Sequence, residues 1–559
     1  MRLTRREWMG CGAASAGLML MPGAARAAFR SNALAPVVER VRAFAEADLA
    51  AKGFPGMQIA LVAPGGASAT LAVGAAELDR RTPASPDQLF QIGSITKSLT
   101  ALAVFVLAER KRIDLGAKVQ DLLPDLPLPA EPITVMNLLE HSSGLPNSLA
   151  DVHELSLPGG RLWTGFAPGS RFSYCNLGYG LLGTIIARAA GTSFPAALEQ
   201  LVLRPIGMAR ARPAIRMRDR ALYAEGHVRF HEDIPWMPGA RLTEARWVEM
   251  ENAAGSVGAT AADMVAYLRT ILMLAGGNGA PLLSAAAARR FVTATIDDDT
   301  PGARYGNGLV HMKADERPVL RHTGGMTGFS SSFTADPAAG VAAYASVNVG
   351  GAGGYRPNEM TEYAVALLRA AAQGATLPDA RQPKKPARLP DPERVTGRWV
   401  SADGTEFTIL ARGEALHVIA GGGVERPLMP QGSGLITDHP ALAPYLLASV
   451  PGEAGVLRVG GRLFGKDAAP PAPATEPRLA ALAGHYLNPA SWSFNRMAIF
   501  AVGERLYVGN TLLKEASDGS WRSADPAGSS ERMWFEKPVN GRPQRVNLSG
   551  SIFTRLAEA

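Results

Sequence analysis

A serine hydroxyl attacks a carbonyl readily only when a neighbouring base takes its proton, and a lysine amine can be that base only where its pKa is held down. Ser94-Ile95-Thr96-Lys97 supplies the two residue types three positions apart, a spacing that puts both side chains on one face of a helix. Residues 98–108 are helix formers with an apolar bias. The sequence therefore predicts Ser94 at or near the first turn of a buried helix and Lys97 one turn on, where burial and the positive helix end would favour the neutral amine. The tetrapeptide alone is a weak signal, because an N-terminal serine beside a solvated lysine gives the same letters.

Two further stretches carry groups that such a pair could use. Tyr174-Cys175-Asn176 follows the turn Pro168-Gly169-Ser170-Arg171. A tyrosine facing Lys97 would be pushed toward phenolate by the ammonium and could pass the serine's proton to a leaving group. Asn176 could hydrogen-bond a substrate amide or orient the lysine. The plain alternative for a loop tyrosine is packing. His322-Thr323-Gly324-Gly325 precedes a β-like run. Glycines at a strand edge let a substrate approach the backbone, and exposed N–H groups there can complete an oxyanion hole.

Helical spacing over 33–51 ends at Gly53-Phe54-Pro55-Gly56, and two β-like runs, 57–62 and 69–73, flank Pro64-Gly65-Gly66 as in a hairpin. From about 115 to 283 the pattern is helix and loop. Strands return at 309–312, 329–335 and 341–347 before a last helix over 359–372. This order predicts an α+β domain: an antiparallel sheet built from the two ends of the segment, flanked by helices, with a helical region inserted and a substrate groove between sheet and insert.

A Pro-, Lys- and Arg-rich stretch beginning at Leu377 marks a boundary, and short β runs with glycine turns follow. Thr396-Gly397-Arg398-Trp399, leading to Gly413-Glu414-Ala415-Leu416, is echoed by Ala483-Gly484-His485-Tyr486, leading to Gly503-Glu504-Arg505-Leu506. Two small related antiparallel β-barrels are the economical reading, although two ordinary hairpins would give a match this short. The expected organisation is a signal over 1–27, a catalytic domain over 28–376, a linker over 377–391, a barrel over 392–466, a Pro/Ala linker over 467–476 and a second barrel over 477–559.

At 559 residues the chain is too long for one core, and a mean hydropathy of +0.02 suits a globular protein. The formal net charge of +7 is dispersed. The one tight basic run, Lys384-Lys385-Pro386-Ala387-Arg388, sits among prolines, so nucleic-acid binding is not expected. Thr4-Arg5-Arg6-Glu7-Trp8-Met9, an apolar run and Ala25-Arg26-Ala27 resemble a twin-arginine export signal, which predicts a periplasmic or secreted product without a transmembrane segment. Cleavage would remove Cys11, leave Cys175 unpaired, and make the cores carry stability without a disulfide.

In order and spacing, Ser-x-x-Lys, Tyr-x-Asn and His-Thr-Gly resemble the motifs of the penicillin-recognising serine hydrolases. Phe90-Gln91-Ile92-Gly93 ahead of Ser94 and Leu138-Leu139-Glu140-His141-Ser142-Ser143-Gly144-Leu145-Pro146 strengthen the likeness. It is greatest to the class C β-lactamase-related branch, with its D-aminopeptidases, DD-peptidases and esterases, and it covers about 33–372. The resemblance implies a Ser94 acyl-enzyme. Lys97 and Tyr174 would share the base role, Tyr174 would protonate the leaving group, and Ser94 and Gly325 N–H groups would form the oxyanion hole. Asn176, His322, Thr323 and Gly324 would bind substrate, and His141 would be structural. No metal or cofactor is implied. Histidine in place of the family's usual lysine at 322 weakens carboxylate capture and favours small peptides, amides or esters, D-amino-acid-containing ones first, over β-lactams. By analogy with D-aminopeptidase-like members, the barrels would limit substrate length or hold protomers of a homo-oligomer together. An esterase or weak β-lactamase on the same fold is the nearest alternative. An exported binding protein with a relic hydrolase domain is the non-enzymatic one.

Overall fold

The computed structural model describes residues 33–79, 82–147, 152–231, 234–385, 388–490, 496–525 and 529–557. The export signal expected over 1–27 lies outside them, as do Pro386 and Ala387 of the basic run.

Eight strands form the central sheet: β1 (Gly56–Val62), β2 (Ser68–Gly74), β3 (Ile296–Asp297), β4 (Arg304–Gly306), β5 (Leu309–Ala314), β6 (Arg317–Met326), β7 (Phe329–Asp336) and β8 (Val341–Val347). Their order across the sheet is β2-β1-β8-β7-β6-β5-β4-β3, with antiparallel neighbours throughout. The first hairpin thus pairs with the last strand, closing the two ends of the segment onto each other. β3, β4 and the first half of β6 have no counterpart in the sequence reading. Two of them are only two or three residues long, and β6 opens on the mixed run Arg317-Pro318-Val319-Leu320.

Side chains alternate across β1, and each face meets its own helices. Ile59 and Leu61 pack with Val37 and Phe44 of α1 (Leu34–Lys52) and Tyr363 and Leu367 of α5 (Asn358–Ala372). Ala60 and Val62 share the other core with Leu99 and Leu102 of α2 (Thr96–Glu109), Leu182 of α3 (Asn176–Ala190) and Leu268 of α4 (Ala261–Ala275). α2 is buried from Thr96 through Leu107, which explains why its sequence is apolar all round rather than on one stripe. Thr260 caps α4 by accepting the Asp263 N–H at 3.2 Å, and Cys175 caps α3 by accepting the Gly178 N–H on its sulfur at 3.3 Å. Among the described residues no single helix is long and apolar enough to cross a membrane.

Two closed eight-stranded antiparallel barrels follow, one from Gly397–Ser401 to Arg462–Lys466 and one from Gly484–Leu487 to Ser551–Arg555. The likeness between their first hairpins is structural as well. Trp399 Nε1 donates to Val395 O at 2.8 Å and the Tyr486 hydroxyl to Leu482 O at 2.9 Å, each reaching four residues back. Gly413 and Gly503 both turn at φ 59°. Large side chains fill each interior: Trp399, Phe407, Ile409 and Phe464 in the first, Tyr486, Ile499, Trp521 and Phe553 in the second.

The second barrel is docked on the catalytic domain. Trp163 Nε1 donates to Ser530 O at 2.8 Å, the Trp163 ring lies 5.2 Å from that of Trp534, and the Arg532 guanidinium sits over it at 4.8 Å. Ser156 N–H donates to Gly550 O at 3.0 Å, and Asn547 Nδ2 returns a bond to Ser156 O at 2.8 Å. Trp163→Ala removes a buried aromatic anchor and its hydrogen bond, so it should destabilise this contact by about 3 kcal/mol. Calorimetry should then show an earlier transition, and limited proteolysis faster cutting between the barrels. An unchanged thermogram and digestion pattern would count against Trp163 as the anchor.

Candidate active site

Ser94 lies in a 3-10 turn, Gly93–Ile95, just ahead of α2 rather than in its first α-turn. The turn is fixed from several directions. Phe90–Gln91 pairs with Gly258–Ala259, Ile92 N–H donates to Val257 O at 3.0 Å, and Ile92 O accepts the Ser331 hydroxyl at 2.8 Å. Gly93 has φ 54°, and a Cβ there would stand 2.6 Å from the Gly325 nitrogen, so glycine is needed for both conformation and approach. The turn and the strand carrying Gly325 touch backbone to backbone.

Lys97 is fully buried, its Nζ 3.1 Å from Ser94 Oγ, 2.7 Å from Asn176 Oδ1 and 2.9 Å from Ala254 O. Burial lowers its pKa from 10.5 to about 7, against a smaller opposing pull from Cys175. A neutral amine has two N–H groups and one lone pair. The two carbonyl oxygens can accept only hydrogens, so they take both N–H groups and leave the lone pair for the Ser94 hydroxyl. The 253–257 segment that supplies Ala254 O is tied to the serine helix by Thr100 Oγ1 donating to Ala253 O at 2.7 Å and Val257 N–H donating to Thr96 Oγ1 at 3.2 Å.

The Tyr174 hydroxyl faces Ser94. Its ring lies 4.8 Å from Lys97 Nζ and 4.3 Å from the His141 ring. Burial pushes its pKa well above 10, outweighing the Ser94 hydrogen bond and the Arg356 charge that pull it down. Burial thus bears on which of the pair holds the proton at rest, a point the sequence leaves open: Tyr174 rests protonated, and Lys97 is the group poised to lose its proton near neutrality. Asn176, the first residue of α3, binds the lysine directly.

His141, assigned to loop structure from the sequence, is buried beneath this cluster with φ 58°, its ring against Tyr174, Tyr179, Tyr305 and Phe172. Its Nδ1 accepts the Cys175 N–H at 3.0 Å, fixing the turn that presents Tyr174. Burial, with Lys97 and His322 nearby, keeps it neutral. Cys175, beside it, is a buried thiol held up to about 12 chiefly by burial.

β6 pairs with β5 only as far as Arg321, whereas its pairing with β7 continues through Met326. From His322 to Met326 one edge of the strand is therefore unpaired by β5, and that stretch runs past the Ser94 turn. A Cβ on Gly324 would stand 1.9 Å from Ile92 O, and one on Gly325 2.4 Å from the Arg356 guanidinium. Thr323 is half-buried between them and His322. The His322 Nδ1–H donates to Thr323 O at 2.7 Å, which leaves Nε2 to accept the Tyr305 hydroxyl at 3.3 Å. Burial first, then Lys97, depresses its pKa to about 3, so the ring is neutral.

The structure thus brings Ser94, Lys97, Tyr174 and Asn176 together beside the 322–325 strand. It adds groups that the sequence reading missed. Arg356, from Tyr355-Arg356-Pro357-Asn358 at the start of α5, puts a half-buried guanidinium beside Gly325, held by Tyr355 O at 2.7 Å and Ser330 Oγ at 3.4 Å. An arginine at a helix start was its only sequence signal. Tyr305 and the Ala254 carbonyl had none. A cavity of about 630 Å³ opens alongside, lined by Gln91, Tyr223, Trp247, Met326, Thr327 and Phe329.

A family profile described as Beta-lactamase matches residues 41–368. Among curated proteins, "Penicillin-binding protein 4*" of Bacillus subtilis is 26% identical over 388 residues, 64% of this chain and 82% of that protein. A D-aminopeptidase of Gluconobacter oxydans is 28% identical over 291 residues, 50% of this chain and 52% of that one. The solved structure of the octameric penicillin-binding protein homologue from Pyrococcus abyssi superposes with a TM-score of 0.54 at 22% identity, covering 77% of this chain and 100% of that one. That likeness is one of fold.

The titration of Lys97 has two consequences. Below pH 7 the folded chain must hold a buried ammonium. Between 7 and 10.5 the unfolded chain binds the extra proton, so this residue's contribution to stability rises with pH across that window. Reactivity of Ser94 toward a fluorophosphonate should climb along a single limb with a midpoint near 7 as the amine becomes neutral. Labelling rates over pH 5 to 9, followed by intact mass, check this, and a flat profile would rule out lysine as the titrating base.

Proposed function

The chain belongs to the beta-lactamase family, and from that premise we propose that it is a serine hydrolase cutting amide or ester bonds of small peptides through an acyl-enzyme on Ser94. D-amino-acid-containing peptides are the foremost substrates in this reading. The observation that carries it is the Lys97 lone pair left for the Ser94 hydroxyl once Asn176 and Ala254 have taken both N–H groups.

In the proposed reaction Ser94 Oγ bonds to the carbonyl carbon while its proton passes to Lys97. The oxygen that gains charge is received by the Ser94 and Gly325 N–H groups, with the Arg356 guanidinium adding positive potential behind Gly325. Tyr174, protonated at rest and facing Ser94, gives its proton to the leaving amine or alkoxide and is reprotonated from Lys97. Water, deprotonated by the same pair, then attacks the ester and releases the acid. Thr323, Gly324 and Gly325 would align the substrate backbone along the free edge of β6, and the neighbouring cavity would take a side chain of the acyl portion.

A neutral His322 supports peptides and amides over substrates held mainly by a carboxylate. The curated relative named as a D-aminopeptidase supports the same choice. The twin-arginine pattern of residues 4–9 supports export as the setting.

The test pairs a D-alanine p-nitroanilide with intact-mass detection of a fluorophosphonate adduct. We expect colour release and a single adduct on Ser94, both lost in Ser94→Ala, with turnover down by at least about a thousandfold and the fold unchanged by circular dichroism. Turnover in Ser94→Ala equal to wild type would refute the mechanism. A wild-type chain that takes up no probe would instead favour an exported binding protein.

A further inference from the structure

The loop of the second barrel that docks on Trp163 places a carboxylate at the edge of the catalytic cluster. Asn147 N–H donates to Glu531 Oε1 at 2.6 Å across 384 positions of sequence. Asn147 Oδ1 accepts both the Asn176 backbone N–H at 2.8 Å and its Nδ2 at 2.9 Å. Asn176 Oδ1 in turn accepts from Lys97 at 2.7 Å. We propose that Glu531 is a positioning residue for the reacting pair, acting through Asn147 and Asn176 on Lys97. This rests on the reading of Ser94 and Lys97 given above.

The chemistry of Asn176 makes the position matter. Its amide has an acceptor end and a donor end, and only the acceptor can take a lysine N–H. Asn147 Oδ1 accepts from the donor end, which turns the acceptor toward Lys97. Asn147 is itself exposed, so its orientation depends on what holds its backbone. Glu531 supplies that hold, from a loop fastened on both sides. Ser530 is bonded to Trp163, and Arg532 N–H donates to Ser549 Oγ at 3.1 Å.

The carboxylate is not needed for docking, which already has Trp163, Ser156 and Asn547. Its site also disfavours charge. Burial raises the Glu531 carboxyl, while Ser549 and the Asn147 N–H pull it back down. Arg532 is turned away, over Trp163 and 3.3 Å from Asp518. Cys175, whose thiol Glu531 pushes further up, is the titratable group of the site that feels it. A carboxylate kept where charge is disfavoured, with one oxygen on an N–H that leads to the lysine, is better explained by what it orients than by what it fastens.

The experiment uses the full chain and the second-order rate of Ser94 labelling by a fluorophosphonate, a probe with neither amine nor amide. Glu531→Ala and Asn147→Ala should each slow labelling about tenfold with thermal midpoints near wild type. Glu531→Gln, whose amide oxygen accepts the same N–H, should keep at least half the rate. The double variant Asn147→Ala/Glu531→Ala should be no slower than Asn147→Ala alone, because both act on one line. The proposal is overturned if Glu531→Ala labels like wild type, if Gln fails to rescue, or if the two losses multiply. A defect seen only with amino-acid substrates would also overturn it, making Glu531 a substrate contact. Should Glu531→Ala not fold, Asn147→Ala and Glu531→Gln carry the comparison. A wild-type chain that is not labelled at Ser94 sinks the underlying reading, whereas a labelled wild type with unaffected variants sinks only this one.

Discussion

An amine kept neutral near pH 7 is the constraint on which the catalytic domain turns. Lowering a lysine from 10.5 to about 7 corresponds to a disfavouring of the ammonium on the order of 5 kcal/mol. That requires removal of water from every side of Lys97 together with acceptors for both of its N–H groups. α2 is accordingly buried for three turns, the 253–257 segment is bonded to it through Thr96 and Thr100, and α3 begins at the residue that faces the lysine. The sheet supports the same demand from behind, since Ala60 and Val62 on one face of β1 share a core with Leu99 and Leu102.

The second constraint is backbone access. A carbonyl held at Ser94 must lie against N–H groups, and β6 offers them because β5 stops pairing at Arg321. Gly93 and Gly324 let the serine turn lie directly against that free stretch, where any larger side chain would collide with Ile92 O or the Gly325 nitrogen. The neutral His322 and the Arg356 guanidinium divide the polar work there. The histidine is spent on Thr323 O and Tyr305, and the permanent charge arrives from the start of α5. The permanent charge beside this strand thus comes from the start of α5 and not from position 322.

The parts of this arrangement visible in the sequence were those encoded locally. Three-residue spacing in an apolar run placed Lys97 beside Ser94, short β runs with glycine turns and a repeated segment marked the barrels, and the ends of the catalytic segment read as strands that pair. Position along the chain said nothing of Ala254 O, Arg356, Tyr305 or Asn147, which reach the site through contacts spanning tens to hundreds of residues. The protonation of Tyr174 was not legible for a related reason. The sign of its shift depends on burial outweighing neighbouring charge, and burial is a property of the packed cluster with His141, Tyr179 and Tyr305. β3 and β4 escaped notice because strands of two or three residues carry too little periodicity to read.

The barrels raise a different question, because among the described residues their interiors are filled. Each sheet closes on itself, which removes the exposed edges that would otherwise pair with other chains. Each interior is filled by aromatic and aliphatic side chains, with Trp399 and Tyr486 at equivalent places. A filled barrel can act only through its outer surface and its loops. In the second barrel those loops meet the catalytic domain at Ser156, at Trp163 and at Asn147, the last of which closes the segment from His141 whose residues fix Tyr174 and Asn176. The first barrel meets the second through a strand residue, Arg458, which donates to Gly509 O at 3.0 Å and Asn510 Oδ1 at 2.6 Å. The first barrel therefore contacts the second, and the second contacts the domain that carries the lysine, so the unit farthest along the chain is the one that returns to the loop beside Asn176.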